Sequence, residues 1–141
     1  MSFDSIYRIA GSAMNAQTVR LNTVASNLAN TDSAAANPAD VYQARKPMFA
    51  AVYENNSLTR GVGLGGAHVQ VLDVVTSGAE PKRRYEPGNP LADEQGYVRM
   101  PNVNVMNEMV NTISASRSYQ ANVEVMNSAK SLMLKTLTLG Q

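Results

Sequence analysis

The stretch Leu21-Asn22-Thr23-Val24-Ala25-Ser26-Asn27-Leu28-Ala29-Asn30-Thr31 decides how the chain folds. Leu21, Val24 and Leu28 stand at helical spacing, and no Gly, Pro or charged residue interrupts them. Asn30-Thr31-Asp32-Ser33 then stops the helix, because Asn and Asp leave helical backbone readily and form turns. Upstream, Tyr7, Met14, Leu21 and Leu28 recur every seven residues, with Ala10, Gln17 and Val24 three positions further on. That is a heptad-like seam interrupted at Gln17. About 28 helical residues form a rod of roughly 42 Å.

The far end of the chain has the same style. Tyr119, Met126 and Met133 repeat by seven, joined by Val123, Ala129 and Leu137, and Met106, Met109, Val110 and Ile113 continue an apolar face upstream. Residues 3–30 carry three charges and residues 104–141 five, whereas residues 31–103 carry fifteen. All six prolines and seven of the nine glycines also lie in that middle part, so helix breakers are nearly absent from both ends. The outer faces of the two helices are Asn, Ser, Thr, Gln and Ala. Such faces suit helices packed on several sides, where charges would be costly to desolvate. The fold expected is α+β: long N- and C-terminal helices paired as an antiparallel coiled coil, with a small β-rich middle segment. The divisions expected are 1–31, 32–103 and 104–141.

Within the middle, Met48–Tyr53, His68–Val75 and Tyr97–Met100 read as strands, the second alternating most clearly. Gly61–Gly66 reads as a flexible lead into the second strand, and 33–40 as a low-complexity loop. Pro101-Asn102 marks the approach to the last helix, and Gly140 suits its C-terminal cap.

Composition excludes several kinds of chemistry. A net charge of +1 supplies no field for nucleic acid or an acidic membrane, and the chain has no cysteine. There is no run of eighteen apolar residues and no basic-then-apolar leader at the N-terminus. With two Phe and no Trp, a large private core is not expected. His68 is the only histidine, which argues against a zinc site and for a solvated or hydrogen-bonded strand residue. Lys82-Arg83-Arg84-Tyr85 is flanked by Glu80 and Glu86 and reads as a solvated or interface hairpin rather than a phosphate site. Asp93-Glu94 precedes a turn, with no partner acid or nucleophile nearby. No catalytic group, cofactor, metal, nucleic acid or small-molecule substrate is expected.

Asparagine is a weak helix former, yet Asn15, Asn22, Asn27, Asn30, Asn107, Asn111, Asn122 and Asn127 all fall in the helical ends. Buried Asn can fix register between helices; neutral surface positions are the plainer reading.

These residues carry a resemblance. Leu21–Thr31 resembles the L-N-x-x-A-x-N-L-A-N-x run of flagellar rod and hook proteins. Tyr85-Glu86-Pro87-Gly88-Asn89-Pro90-Leu91-Ala92, then Gly96–Val105, is similar to the shorter proximal-rod members of that family. Glu108-Met109-Val110-Asn111, Ser116–Val123 and Lys135-Thr136-Leu137 complete the match. The 32–41 loop replaces the family's usual Thr-Pro-Gly-Tyr-type continuation.

The resemblance implies a structural subunit of the bacterial flagellar basal-body proximal rod. Its terminal helices would polymerise into a hollow helical drive shaft that transmits torque and passes exported subunits. The partners implied are other copies of the chain, other rod proteins, the rod-base adaptor and membrane-ring components, and the flagellar type III export apparatus. The location implied is the periplasmic rod, reached without a cleaved signal peptide. The subunit-interface residues expected are Met14, Leu21, Asn22, Val24, Asn27, Leu28 and Asn30 on the first helix. On the last helix they are Met109, Ile113, Tyr119, Asn122, Val123, Met126, Met133 and Leu137. An alternative reading is a soluble helical-hairpin adaptor binding one partner at defined stoichiometry.

Overall fold

A computed structural model describes residues 3–53 and 66–139. Helix α1 spans Phe3–Ala29 and helix α2 Val105–Leu139, and four strands lie between them: β1 Arg45–Tyr53, β2 Ala67–Thr76, β3 Lys82–Tyr85 and β4 Tyr97–Met100. The α+β order of helix, β-rich middle and helix is therefore as expected. The Gly61–Gly65 part of the expected lead and the expected cap at Gly140 lie outside the described residues.

α1 begins with Asp4 in its first turn, where a carboxylate complements the helix dipole. Its C-terminus is closed by side chains. Asn30 Nδ2 donates to the Ser26 carbonyl at 2.8 Å and Thr31 Oγ1 to the Asn27 carbonyl at 3.2 Å, satisfying groups a helix end leaves orphaned. α2 is capped at Asn104, just after the Pro101-Asn102 approach. Asn104 Oδ1 accepts the N–H groups of Met106 and Asn107 at 3.1 and 3.3 Å.

The strands form two pairs, β1 with β2 and β3 with β4. The second pair is antiparallel, with Lys82 opposite Met100, Arg83 opposite Arg99, Arg84 opposite Val98 and Tyr85 opposite Tyr97. Its connecting loop is held by Glu86 N–H to the Gly96 carbonyl and by Asp93, whose Oδ1 accepts the Gln95 and Tyr97 N–H groups. Gly96 sits at φ +80, a backbone conformation that side chains disfavour.

The chain divides into two compact units: Met1–Val19, Met48–Asp73 and Ser114–Gln141 form one, and Arg20–Pro47 with Val74–Ile113 form the other. The fully buried apolar side chains of the first unit, among the described residues, are Ala10, Ala16, Ala115 and Ala129. Those of the second are Val24, Val41, Ala44, Val98, Met100 and Val103, together with Pro101, Thr23, Asn27 and Glu108. Among the described residues the second unit thus has a bulky buried core, whereas only alanine methyls are fully buried in the first and Met14, Val123 and Met126 are half-buried.

The loop at 32–41 is ordered within the second unit. Ala35 bridges to Arg99 with Ala35 N–H donating to the Arg99 carbonyl at 3.1 Å. Asn37 caps a single 3-10 turn at Pro38–Asp40, and Val41 then enters the core at 5% exposure.

Candidate assembly interface

Two asparagines organise the second unit, and each grips one of two consecutive residues at the start of β1. Asn27, 1% exposed, donates from Nδ2 to the Arg45 carbonyl at 2.9 Å. Its Oδ1 accepts the Arg45 N–H at 2.9 Å and the Tyr42 hydroxyl at 3.0 Å, and that hydroxyl also meets Ser26 Oγ at 3.1 Å. Asn102 Oδ1 accepts the Ala44 N–H at 2.7 Å, while its Nδ2 donates to the carbonyls of Ala79 at 2.7 Å and Ser77 at 3.3 Å. Ser77 N–H closes the ring by donating to the Ala44 carbonyl at 2.7 Å. The backbone at Ala44 and Arg45 thereby finds partners that a wider sheet would otherwise supply.

The helical asparagines therefore split by role. Asn27 is buried as a hydrogen-bonding hub between α1 and the following chain, not as a register pin between helices. Asn111 Oδ1 accepts from the Arg20 guanidinium at 2.7 Å, which links α1 to α2 within the second unit. Asn122 bonds its own helix at the Ser118 carbonyl, and Asn15, Asn22, Asn107 and Asn127 are exposed.

The expected interface residues take three positions. Val24 and Asn27 are buried, and Met14, Leu21, Leu28, Asn30, Asn122, Val123 and Met126 are half-buried. Asn22, Met109, Ile113, Tyr119, Met133 and Leu137 are exposed. On α2 the deepest positions are Glu108, Ala115 and Ala129, with the half-buried Asn122 between the last two, all at seven-residue spacing. The apolar face of Met106, Met109, Val110 and Ile113 is a separate stripe, with Met106 70% and Val110 61% exposed. Two of the four positions at seven-residue spacing are alanines, which bury only a methyl group. Met106, Met109, Val110, Ile113, Met133 and Leu137 are exposed instead.

Exposure extends to the strands. Phe49 and Tyr53, in the strand expected at Met48–Tyr53, are exposed, Tyr53 at 71%. At Gln17, which interrupts the seam, Oε1 is buried without a partner among the described residues. The same holds for Nδ1 of His68, a half-buried residue of strand β2. The basic cluster is strand β3, as a hairpin reading requires. Lys82 Nζ donates to the Val103 carbonyl at 2.8 Å and Arg84 pairs with Glu86 at 2.6 Å. The Asn89 side-chain amide and the Arg84 guanidinium together hold the Glu86 carboxyl below the usual carboxylate range. Among the described residues no helix is long and apolar enough to cross a membrane.

The chain thus combines long terminal helices, a small β middle and an exposed apolar face on α2. Comparison with known proteins places it in a family. Residues 8–34 match the family of flagella basal body rod proteins, and residues 94–139 match the C-terminal family of flagellar basal body rod FlgEFG proteins. The chain is 56% identical over 141 residues, the whole of both chains, to the flagellar basal-body rod protein FlgC of Escherichia coli O6:H1 (strain CFT073). It is 55% identical over the same span to FlgC of Salmonella typhimurium (strain LT2), and 44% identical over 143 aligned positions to FlgC of Buchnera aphidicola subsp. Schizaphis graminum, again covering both chains fully. The chain belongs to the FlgC family of flagellar basal-body rod proteins. Its role is that of a structural subunit of the basal-body rod.

Proposed function

We propose that the chain polymerises through its terminal helices, with other copies and other rod proteins, into a hollow helical shaft. The shaft transmits torque and passes later subunits through its lumen. The rod-base adaptor and membrane-ring components are its neighbours in the periplasm, and the flagellar type III apparatus exports it without cleavage. The observation that carries this reading is the contrast between the two units. A core of Ala10, Ala16, Ala115 and Ala129 buries too little apolar surface to offset the entropy of ordering two helical segments. Meanwhile Leu132 (58%), Leu134 (55%) and Leu137 (60%) stay exposed, each worth roughly 1.5–3 kcal/mol once covered. Contacts that repeat head to tail without closing into a ring cover such faces and generate a filament. Assembly then supplies the core that the first unit lacks.

Hydrogen exchange on the dilute protein and on isolated basal bodies tests this. The expected result is fast exchange over 3–19 and 114–139 in the dilute chain, slow exchange over the core of 20–47 and 74–113, and protection of both in basal bodies. Strong protection of all helical residues in the dilute monomer would favour the adaptor reading. Ile113→Asp, at a position already 55% exposed, is expected to leave the fold unchanged and to block incorporation into the rod. Normal swimming by that variant would count against helix-mediated polymerisation.

A further inference from the structure

Strand β3 is the open edge of its sheet. It pairs only with β4, and the other side of β4 is taken by Ala35. Three hydrogen bonds fix the direction of the backbone groups. The carbonyls of Arg99 and Tyr97 accept from the Ala35 and Asp93 N–H groups, so both turn away from β3. The Glu86 N–H, by contrast, donates to the Gly96 carbonyl across the hairpin. The rungs that bond β3 to β4 are therefore Lys82 with Met100 and Arg84 with Val98, and the N–H and C=O groups of Arg83 and Tyr85 face outward. No partner for those outward groups occurs among the described residues.

Beside this edge runs a groove of about 590 Å³, walled by the apolar side chains of Met100, Val103, Met106 and Met109 and by the three cations of β3. Arg84 is paired with Glu86, and Lys82 is bound to the Val103 carbonyl. Arg83 stands directly opposite Arg99 on the outer face of the hairpin, and neither has a carboxylate partner among the described residues. Like charges opposite one another are destabilising, so an anion on this face relieves them.

Charge also selects what can use the edge. Lys and Arg on an edge strand guard against pairing with the same edge of another copy, since three cations would face three. The longer strands of this chain are no better suited: β1 has no acidic residue and β2 only Asp73. A strand added to β3 places the residue opposite Arg83 on the outer face, and that residue's neighbours on the other face, toward Met100 and the groove. We propose that the open edge of β3 binds an extended segment of another protein in which acidic residues alternate with apolar ones. Main-chain hydrogen bonds to Arg83 and Tyr85 hold the segment, its acids meet Arg83 and Arg99, and its apolar side chains enter the groove. The inference goes beyond the rod-subunit reading and does not rest on it.

The test measures binding of a fluorescent synthetic peptide, Thr-Glu-Val-Glu-Val-Glu-Thr, to the full-length chain by anisotropy. Saturable binding is expected, with slower amide exchange at Arg83 and Tyr85 and no change at Lys82 and Arg84, whose N–H groups already serve β4. The same peptide with Lys in place of Glu is expected not to bind. Arg83→Pro removes an outward N–H without touching the ladder, a change an edge strand tolerates. It is expected to weaken binding about tenfold or more, through loss of a hydrogen bond and a charge. Arg83→Gln, which keeps the N–H, is expected to weaken it less. No binding of the glutamate peptide, equal binding of the lysine peptide, binding without protection of Arg83 and Tyr85, or wild-type affinity in Arg83→Pro would each overturn the proposal. So would dimers of the chain that Arg83→Pro abolishes, which would assign the edge to a second copy.

Discussion

Asn27 treats Arg45 as a neighbouring strand would, donating to its carbonyl and accepting from its N–H, both at 2.9 Å. A side chain in the last turn of α1 thus fixes where β1 begins, eighteen residues later. The intervening 32–41 loop need only span that distance, with Tyr42 returning to Asn27 and Ser26.

Replacing Asn27 with Ala strands the Arg45 N–H and carbonyl and the Tyr42 hydroxyl in a site that is 1% exposed. A loss of about 1–3 kcal/mol is expected for such unsatisfied groups. Asn27→Asp keeps the acceptor but sets a carboxylate oxygen against the Arg45 carbonyl, so it is expected to be destabilising too. Urea denaturation of the purified protein measures both, and midpoints equal to wild type would refute the hub role.

Asn102→Ala is expected to act on a different set of backbone groups, those of Ala44, Ser77 and Ala79. Faster amide exchange at Ala44, with exchange at Arg45 still slow, is the predicted pattern, because Arg45 is held by Asn27. Equal acceleration at both residues would mean that the two asparagines act as one unit.

At Gly96, φ is +80, and an added Cβ would lie 3.0 Å from the Tyr85 ring and 3.3 Å from Pro87 Cβ. Gly96→Ala is therefore expected to cost about 1–2 kcal/mol through backbone conformation alone. It should also disturb the edge-to-face pair of Tyr85 and Tyr97. Aromatic chemical shifts of the two rings report this, and unchanged shifts would show that the loop adapts without strain.

The Glu86 carboxyl is held below its ordinary value of 4.5, first by the Asn89 side-chain amide at 2.9 Å and then by Arg84. Its folded value lies below its unfolded one. The stabilisation is thus present above the unfolded value and is lost as pH falls through the folded value. Asn89→Ala should raise the Glu86 titration midpoint, read by carboxyl-carbon NMR. A midpoint that does not move would assign the shift to Arg84 alone.

The helices and their ends were legible from local sequence, because helix propensity, the absence of Gly and Pro, and the Asn-rich terminators act within a few residues. Strand β4 was legible for the same reason. The family was legible in three motifs, because runs of residue types can be matched without knowing the fold. What tertiary structure decided was which side of each helix is buried. Periodicity marks Met106, Met109, Val110 and Ile113 as an apolar face, but a sequence cannot say whether its own chain or a neighbour covers that face. In the folded chain it is exposed, and the buried positions fall to Ala115, Ala129 and Glu108. Nor could spacing reveal that Asn27 and Asn102 hold the adjacent residues Arg45 and Ala44 where β1 begins. Hydrogen bonds between residues 18 and 58 positions apart depend on the fold bringing them together, not on any local pattern.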